Sequence, residues 1–352
     1  MTASSVAARR ELLRRLPKAE LHCHLDGSVR PETLVELSRE YRVALPVSDA
    51  DALREYMLVD DARNLEEYLE RFAVTLSVMQ TADALERVSY ELAEDAAREG
   101  VRYIEVRYAP VLNVAAGLSL LEAVEAPLRG LRRAERDHGI VGRVIICALR
   151  NLPSSTSLEL ARLAVDCRSE GVVGFDLAGG EMGNPASAHA AAFRHALEHG
   201  MQCTCHAGEG DGAHSVREAL YACGAHRIGH ATRLSEDPEL VEEVARKRIP
   251  LEICLTSNVQ TRATESYEAH PLREYFDQGI AVVLNTDNRL MSGVTLTDEY
   301  VRASEHLDFS IAELCTIART GFESAFLPDD ERVRLLARVL PEIDAIAAER
   351  EE

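Results

Sequence analysis

Along this 352-residue chain, helical patterns repeatedly run into a glycine that is followed by a strand-sized apolar run, and this repeat constrains the fold more than any other feature. The glycines are Gly100, Gly139, Gly171, Gly200, Gly224 and Gly279. Glycine suits the left-handed turn that ends a helix, and a helix returning the chain to a strand of the same direction makes a right-handed βα unit. The apolar runs lie at Val101–Tyr108, Val141–Leu149, 172–177, 201–206, 251–255 and 281–285, and adding 19–24 and 227–229 makes eight. Between them Leu85, Val88, Leu92 and Ala96 keep helical spacing, and Asp237 followed by Pro238 reads as an N-cap with proline at the first helical position.

Eight parallel strands with intervening helices predict an α/β fold of the TIM (β/α)8 barrel type rather than an open doubly wound sheet, because polar residues gather at strand C-termini. His22 and His24 close the first run, His206 closes the fifth, His230 follows the sixth and Asp287 the eighth. Barrel active sites form on that rim. Residues 41–84, between the first and second strands, exceed one crossover helix and carry Leu53, Tyr56, Met57, Leu65, Tyr68, Leu69 and Phe72. They are expected to fold as extra helices, over the barrel mouth or against its outer helices. No linker interrupts the chain, so 1–352 reads as one domain.

Charge narrows the partners. Thirty-nine Lys and Arg against fifty-nine Asp and Glu leave a formal charge of -20, which repels a phosphate backbone and argues against nucleic acid. No stretch approaches the eighteen apolar residues of a membrane span, and the first fifteen residues carry Arg9, Arg10, Glu11, Arg14 and Arg15 without an apolar leader core. A soluble, cytoplasmic enzyme is the expectation. The eight cysteines form no C-x-x-C pair and read as buried, reduced thiols.

A single histidine near a strand says little; spacing says more. In Leu21-His22-Cys23-His24-Leu25-Asp26-Gly27 the alternation of a strand sends both imidazoles to one side, where they can bind one cation, and Asp26 shares their parity. His206 and Asp287 arrive from strand ends across the barrel. Three nitrogens and one oxygen suit Zn²⁺, although iron or cobalt would accept the same donors. A catalytic metal site also needs a group that moves protons. Glu209, in His206-Ala207-Gly208-Glu209, fits that role, and His230 could hydrogen-bond the activated water and stabilise developing negative charge.

The segments Lys18-Ala19-Glu20-Leu21-His22-Cys23-His24-Leu25-Asp26-Gly27, Asp176-Leu177-Ala178-Gly179, His206-Ala207-Gly208-Glu209, Ile228-Gly229-His230 and Leu284-Asn285-Thr286-Asp287 together resemble, in order, the signature segments of the adenosine deaminase family. The likeness extends over nearly the whole chain. It implies one Zn²⁺ held by His22, His24, His206 and Asp287, with Glu209 as proton donor to purine N1 and His230 steering the zinc-activated water. It also implies Asp26 on the ribose hydroxyl side and the Gly179 N–H at purine N3. The implied reaction is hydrolytic deamination of adenosine and 2′-deoxyadenosine at C6. The cytidine-type zinc deaminases use H-x-E and P-C-x-x-C motifs, which are absent here.

One position departs from the family pattern. Many members carry a second Asp after the metal Asp, bonded to purine N7; this chain has Asn288, whose amide can donate to N7 at any pH. Other 6-aminopurine compounds, namely adenine, methylthioadenosine and aminodeoxyfutalosine, are the alternative substrates. AMP is disfavoured because no Arg or Lys cluster accompanies these motifs. A binding protein that has lost catalysis would not need Glu209 and all four metal ligands. Another metal hydrolase on the same barrel, acting on an amide or phosphoester, is set aside on the resemblance alone.

Overall fold

All six glycines that precede strands have positive φ, from 63° at Gly224 to 108° at Gly171, a conformation that side chains disfavour and that turns the chain out of a helix. Helix starts are equally explicit. The Asp237 side chain accepts the Leu240 N–H with Pro238 at the first helical position, and Ser119 with Glu122 forms a reciprocal capping box on helix Leu120–His138. The computed structural model describes residues 3–60 and 62–349.

These boundaries deliver eight parallel strands: β1 (Lys18–His24), β2 (Val101–Tyr108), β3 (Val141–Leu149), β4 (Val172–Ala178), β5 (Gln202–Ala207), β6 (Arg227–His230), β7 (Leu251–Ile253) and β8 (Val282–Leu284), hydrogen-bonded in sequence order. This is a (β/α)8 barrel. Its last seam is closed by the polar residues beyond β8. The Asn285 side-chain oxygen accepts the Leu21 and His22 N–H groups, the Asp287 N–H donates to the His22 carbonyl, and the His24 N–H donates to the Asp287 carbonyl at 2.7 Å. Asp287 adopts φ 60° to make this exchange, so the segment that closes the barrel also aims its carboxylate at β1.

The seventh apolar run is where the expected strand is too long. β7 stops at Ile253, and Leu255–Gln260 forms a helix. Leu255 is buried in this helix, as an apolar residue of a strand would also be, so an apolar run cannot register that the backbone has turned at the rim.

The segment 41–84 contains helices Ala50–Met57, Leu65–Leu69 and Phe72–Leu76. The Tyr68 hydroxyl lies 3.0 Å from Ser292 Oγ, and the Phe72 ring centroid 6.4 Å from that of His24. All eight cysteines are buried free thiols. Among the described residues no helix is long and apolar enough to cross a membrane.

The barrel interior is charged where apolar layers are usual. Arg227 pairs with Glu105 and, at 2.7 Å, with Glu252; Arg107 pairs with Glu252 at 2.9 Å and Asp176 at 3.1 Å. All five side chains are buried. Their burial is tolerable only because each charge faces an opposite one.

Candidate active site

β1 presents His22 and His24 to the same side, and the Nε2 atom of each lies 3.3 Å from Asp287 Oδ1. His24 Nε2 is also 3.2 Å from His206 Nε2. The ligating atoms of His22, His206, His230 and Asp287 all fall within 4.8 Å of one another. Five potential donors, including His24, therefore surround one point. Gly229 beside them leaves room for His22: a Cβ there would stand 3.0 Å from the His22 ring.

The charged interior explains how these rings are oriented. Glu252 Oε2 accepts His22 Nδ1–H at 2.9 Å, and Asp176 Oδ2 accepts His206 Nδ1–H at 3.1 Å. Each proton sits on the outer nitrogen, which leaves the inner Nε2 lone pairs for the shared point, that of His22 beside Asp287 and that of His206 beside His24. Carboxylates that orient imidazoles in this way are the usual support of metal-binding histidines.

Three observations show that a dication fits this point. His22 Nε2 is buried without a hydrogen-bond partner. The 3.2 to 3.3 Å separations match roughly 3.3 Å, the distance between ligands held tetrahedrally at about 2.0–2.1 Å from zinc. The ion-pair network with Asp287 counts two guanidiniums, Arg107 and Arg227, against four carboxylates, Glu105, Asp176, Glu252 and Asp287. A divalent cation balances that excess; without one, lone pairs and carboxylate charge converge unopposed.

Glu209 stands next to His230, with Oε2 and Nε2 3.5 Å apart. Burial, reinforced by the charge of Asp287, pushes the Glu209 carboxyl well above the ordinary carboxylate range. It therefore holds its proton to higher pH than an ordinary carboxyl does, as a proton donor must. His230 takes φ 63°, which turns its ring toward the metal point; its centroid is 4.8 Å from that of His22.

Asp26 and Gly179 line, with His24, a cavity of about 590 Å³ at the barrel mouth. Burial pushes the Asp26 carboxyl up to about 7, and its Oδ1 has no partner. Asn288 is buried beside Gly27, where no Cβ would fit against its amide, and its Oδ1 is also unpartnered. Leu69, Phe72 and Leu76 of the inserted helices form one cavity wall.

Sequence reasoning missed several residues that hold this arrangement. Glu252 lies in a three-residue strand with no readable period. Ser257 donates to Asp287 Oδ2 at 2.6 Å, and Thr261 to Glu209 Oε1 at 3.0 Å. Glu181 is the largest omission. Its buried carboxylate accepts the backbone N–H groups of Gly208, Glu209, Gly210 and Asp211 at 2.6 to 3.1 Å, gripping the loop that carries Glu209. The only sequence signal is an acid two residues beyond Gly179.

Glu181→Gln turns one end of this clasp into a donor facing donors. The variant is expected to lose about 1–3 kcal/mol of stability and roughly tenfold in turnover, with metal content unchanged. Urea unfolding and elemental analysis check it; wild-type stability would show that the clasp does not hold the loop.

The family model described as adenosine deaminase matches residues 17–342. An adenosine deaminase of Vibrio vulnificus (strain YJ016) is 40% identical over 92% of this chain and 98% of that protein. A probable adenosine deaminase of Dictyostelium discoideum is 41% identical over 92% of this chain, which spans 42% of that longer protein. Among solved structures, an amidohydrolase from Burkholderia ambifaria with bound Zn superposes with a TM-score of 0.88 at 28% identity, covering 99% of this chain and 94% of that one.

Proposed function

The chain belongs to the adenosine deaminase family, and on that premise we propose that it hydrolyses adenosine and 2′-deoxyadenosine to inosine and 2′-deoxyinosine, releasing ammonia. The observation that carries this reading is a buried Glu209 carboxyl, its pKa raised by burial, set against a dication-shaped cluster at the mouth of the barrel.

His22, His24, His206 and Asp287 would hold a single Zn²⁺; the Zn-bound structural relative supports that choice of metal. When bound, zinc supplies a Lewis acid that lowers the pKa of a water to about 7. Glu209 gives its proton to purine N1, which draws electrons from C6 and makes that carbon electrophilic. His230 donates a hydrogen bond to the oxygen adding at C6 and steadies its charge as the tetrahedral adduct forms. The added water gives up two protons, one restoring Glu209 and one passing to the amino group, which then leaves as ammonia. Asp26 faces the ribose hydroxyls, the Gly179 N–H faces N3 and the Asn288 amide donates to N7. The inserted helices of 41–84 cover the nucleoside, with Phe72 and Leu69 excluding water from the mouth.

The cavity also speaks to substrate class. Among the described residues no Lys or Arg lines it, whereas Asp26 and Glu70 do. A 5′-phosphate would meet two carboxylates and no countercharge. Adenosine and 2′-deoxyadenosine are therefore expected to exceed AMP by at least about 100-fold in kcat/KM. The apolar wall of Leu69, Phe72 and Leu76 favours methylthioadenosine as the second reading. Following loss of adenine absorbance with a panel of adenosine, deoxyadenosine, adenine, methylthioadenosine, aminodeoxyfutalosine and AMP ranks them; a higher kcat/KM for any compound other than the two nucleosides would displace the reading.

A further inference from the structure

A hydrogen-bond chain enters the site from outside the barrel, and its polarity is fixed at its first link. The Leu272 backbone N–H donates to His270 Nδ1 at 3.1 Å. A backbone amide can only donate, so His270 Nδ1 must accept. Burial keeps that ring neutral, holding its pKa down at about 3, and its proton therefore lies on Nε2. Nε2 stands 3.2 Å from Asn258 Oδ1 and donates to it. This settles which way the fully buried Asn258 amide points, because the flipped amide would set N–H against N–H.

The Asn258 amide nitrogen consequently faces inward with two hydrogens, and each has one acceptor. One goes to His230 Nδ1 at 2.9 Å. The other is directed at Glu209 Oε1 at 3.4 Å, the oxygen that Thr261 also donates to. With Nδ1 accepting, the neutral His230 ring carries its proton on Nε2. With two donors on Oε1, the remaining oxygen of Glu209, Oε2, is the one left to carry a proton, 3.5 Å from His230 Nε2.

We infer that His270 and Asn258 are positioning residues for the deamination: a chain of fixed polarity that makes His230 an Nε2–H donor and directs the acid proton of Glu209 to Oε2. Neither residue touches substrate. The chain also separates His230 from His22 and His206, whose Nδ1 atoms donate to carboxylates and whose Nε2 atoms are free to bind a metal. A ring whose Nδ1 accepts has no Nε2 lone pair to offer, so His230 stands within the cluster without ligating.

The inference rests on the deaminase reading, and its test has one arm that does not. Long-range ¹⁵N–¹H correlation spectra of the metal-loaded protein labelled in its histidines report which nitrogen of each neutral ring carries the proton, with His230 assigned by its loss in His230→Ala. Wild-type His230 is expected as the Nε2–H tautomer; an Nδ1–H tautomer overturns the inference whether or not the protein deaminates adenosine and whether or not any further variant folds. In the kinetic arm, His270→Phe keeps the bulk and removes the donor, and should lower kcat on the order of 10- to 100-fold with KM moved less than about threefold. His270→Gln, which can accept from Leu272 and donate to Asn258, should recover most of that loss. A Phe variant within twofold of wild type, or a Gln variant as impaired as Phe, would reduce His270 to a packing residue.

Discussion

Glu209→Gln is expected to lower kcat by about 10³-fold or more while leaving metal content and the affinity for a non-reacting purine nucleoside nearly unchanged. Glutamine keeps the shape and can still donate a hydrogen bond to N1, but it cannot transfer a proton. In the native protein the acid is ready: burial raises its pKa, Asp287 adds to the rise, and Thr261 fixes one oxygen. The sign of the pH effect follows. A carboxyl group with a raised pKa keeps its proton to higher pH than an ordinary one and loses it as pH rises further, so kcat/KM of the wild type should fall on the basic side. That limb should vanish in the Gln variant. Steady-state kinetics across pH, with metal analysis of the same samples, checks both effects. Turnover within tenfold of wild type, metal retained, would remove Glu209 from the acid role.

The residues that were legible in the sequence are those whose role repeats locally. The six glycines announce helix ends because one backbone conformation recurs at each, and β2 and β3 begin and end where their apolar runs do. His22 and His24 could be paired because a strand has period two. What stayed hidden is convergence without period. Glu252 reaches His22 from 230 positions away, and Asn258 lies on a short helix that starts at Leu255, where the seventh apolar run ends. Glu181 could not be recognised because its four partners are backbone amides, which every residue possesses. Barrel closure belongs to the same class. The left-handed Asp287 seals β8 against β1, and only the closed ring shows that sealing and a place in the metal-shaped cluster fall to one residue.

This double duty sets the expectation for metal removal. Chelation should abolish more than about 99.9% of turnover, since the activated water is lost, and should lower the thermal unfolding midpoint, since the metal binds only the folded site. Without a cation, the inner nitrogens of His22 and His24 face the Asp287 carboxylate at 3.3 Å, and the charged interior retains its excess of carboxylates. Zinc added back should restore both properties. Asp287→Ala distinguishes ligand from fold: it removes the oxygen shared by His22 and His24 and the partner of Ser257, while the backbone bonds to His22 and His24 that close the barrel remain available. The variant should therefore fold with a barrel-like circular dichroism spectrum, bind less than one tenth of the wild-type metal under competition with a chelator, and lose about 10³-fold or more in turnover. Elemental analysis of protein purified without added metal gives the decisive count. One transition-metal ion per chain in active protein is the expected result. Active protein that contains none would mean that the convergence of His22, His24, His206 and Asp287 serves some purpose other than holding a metal.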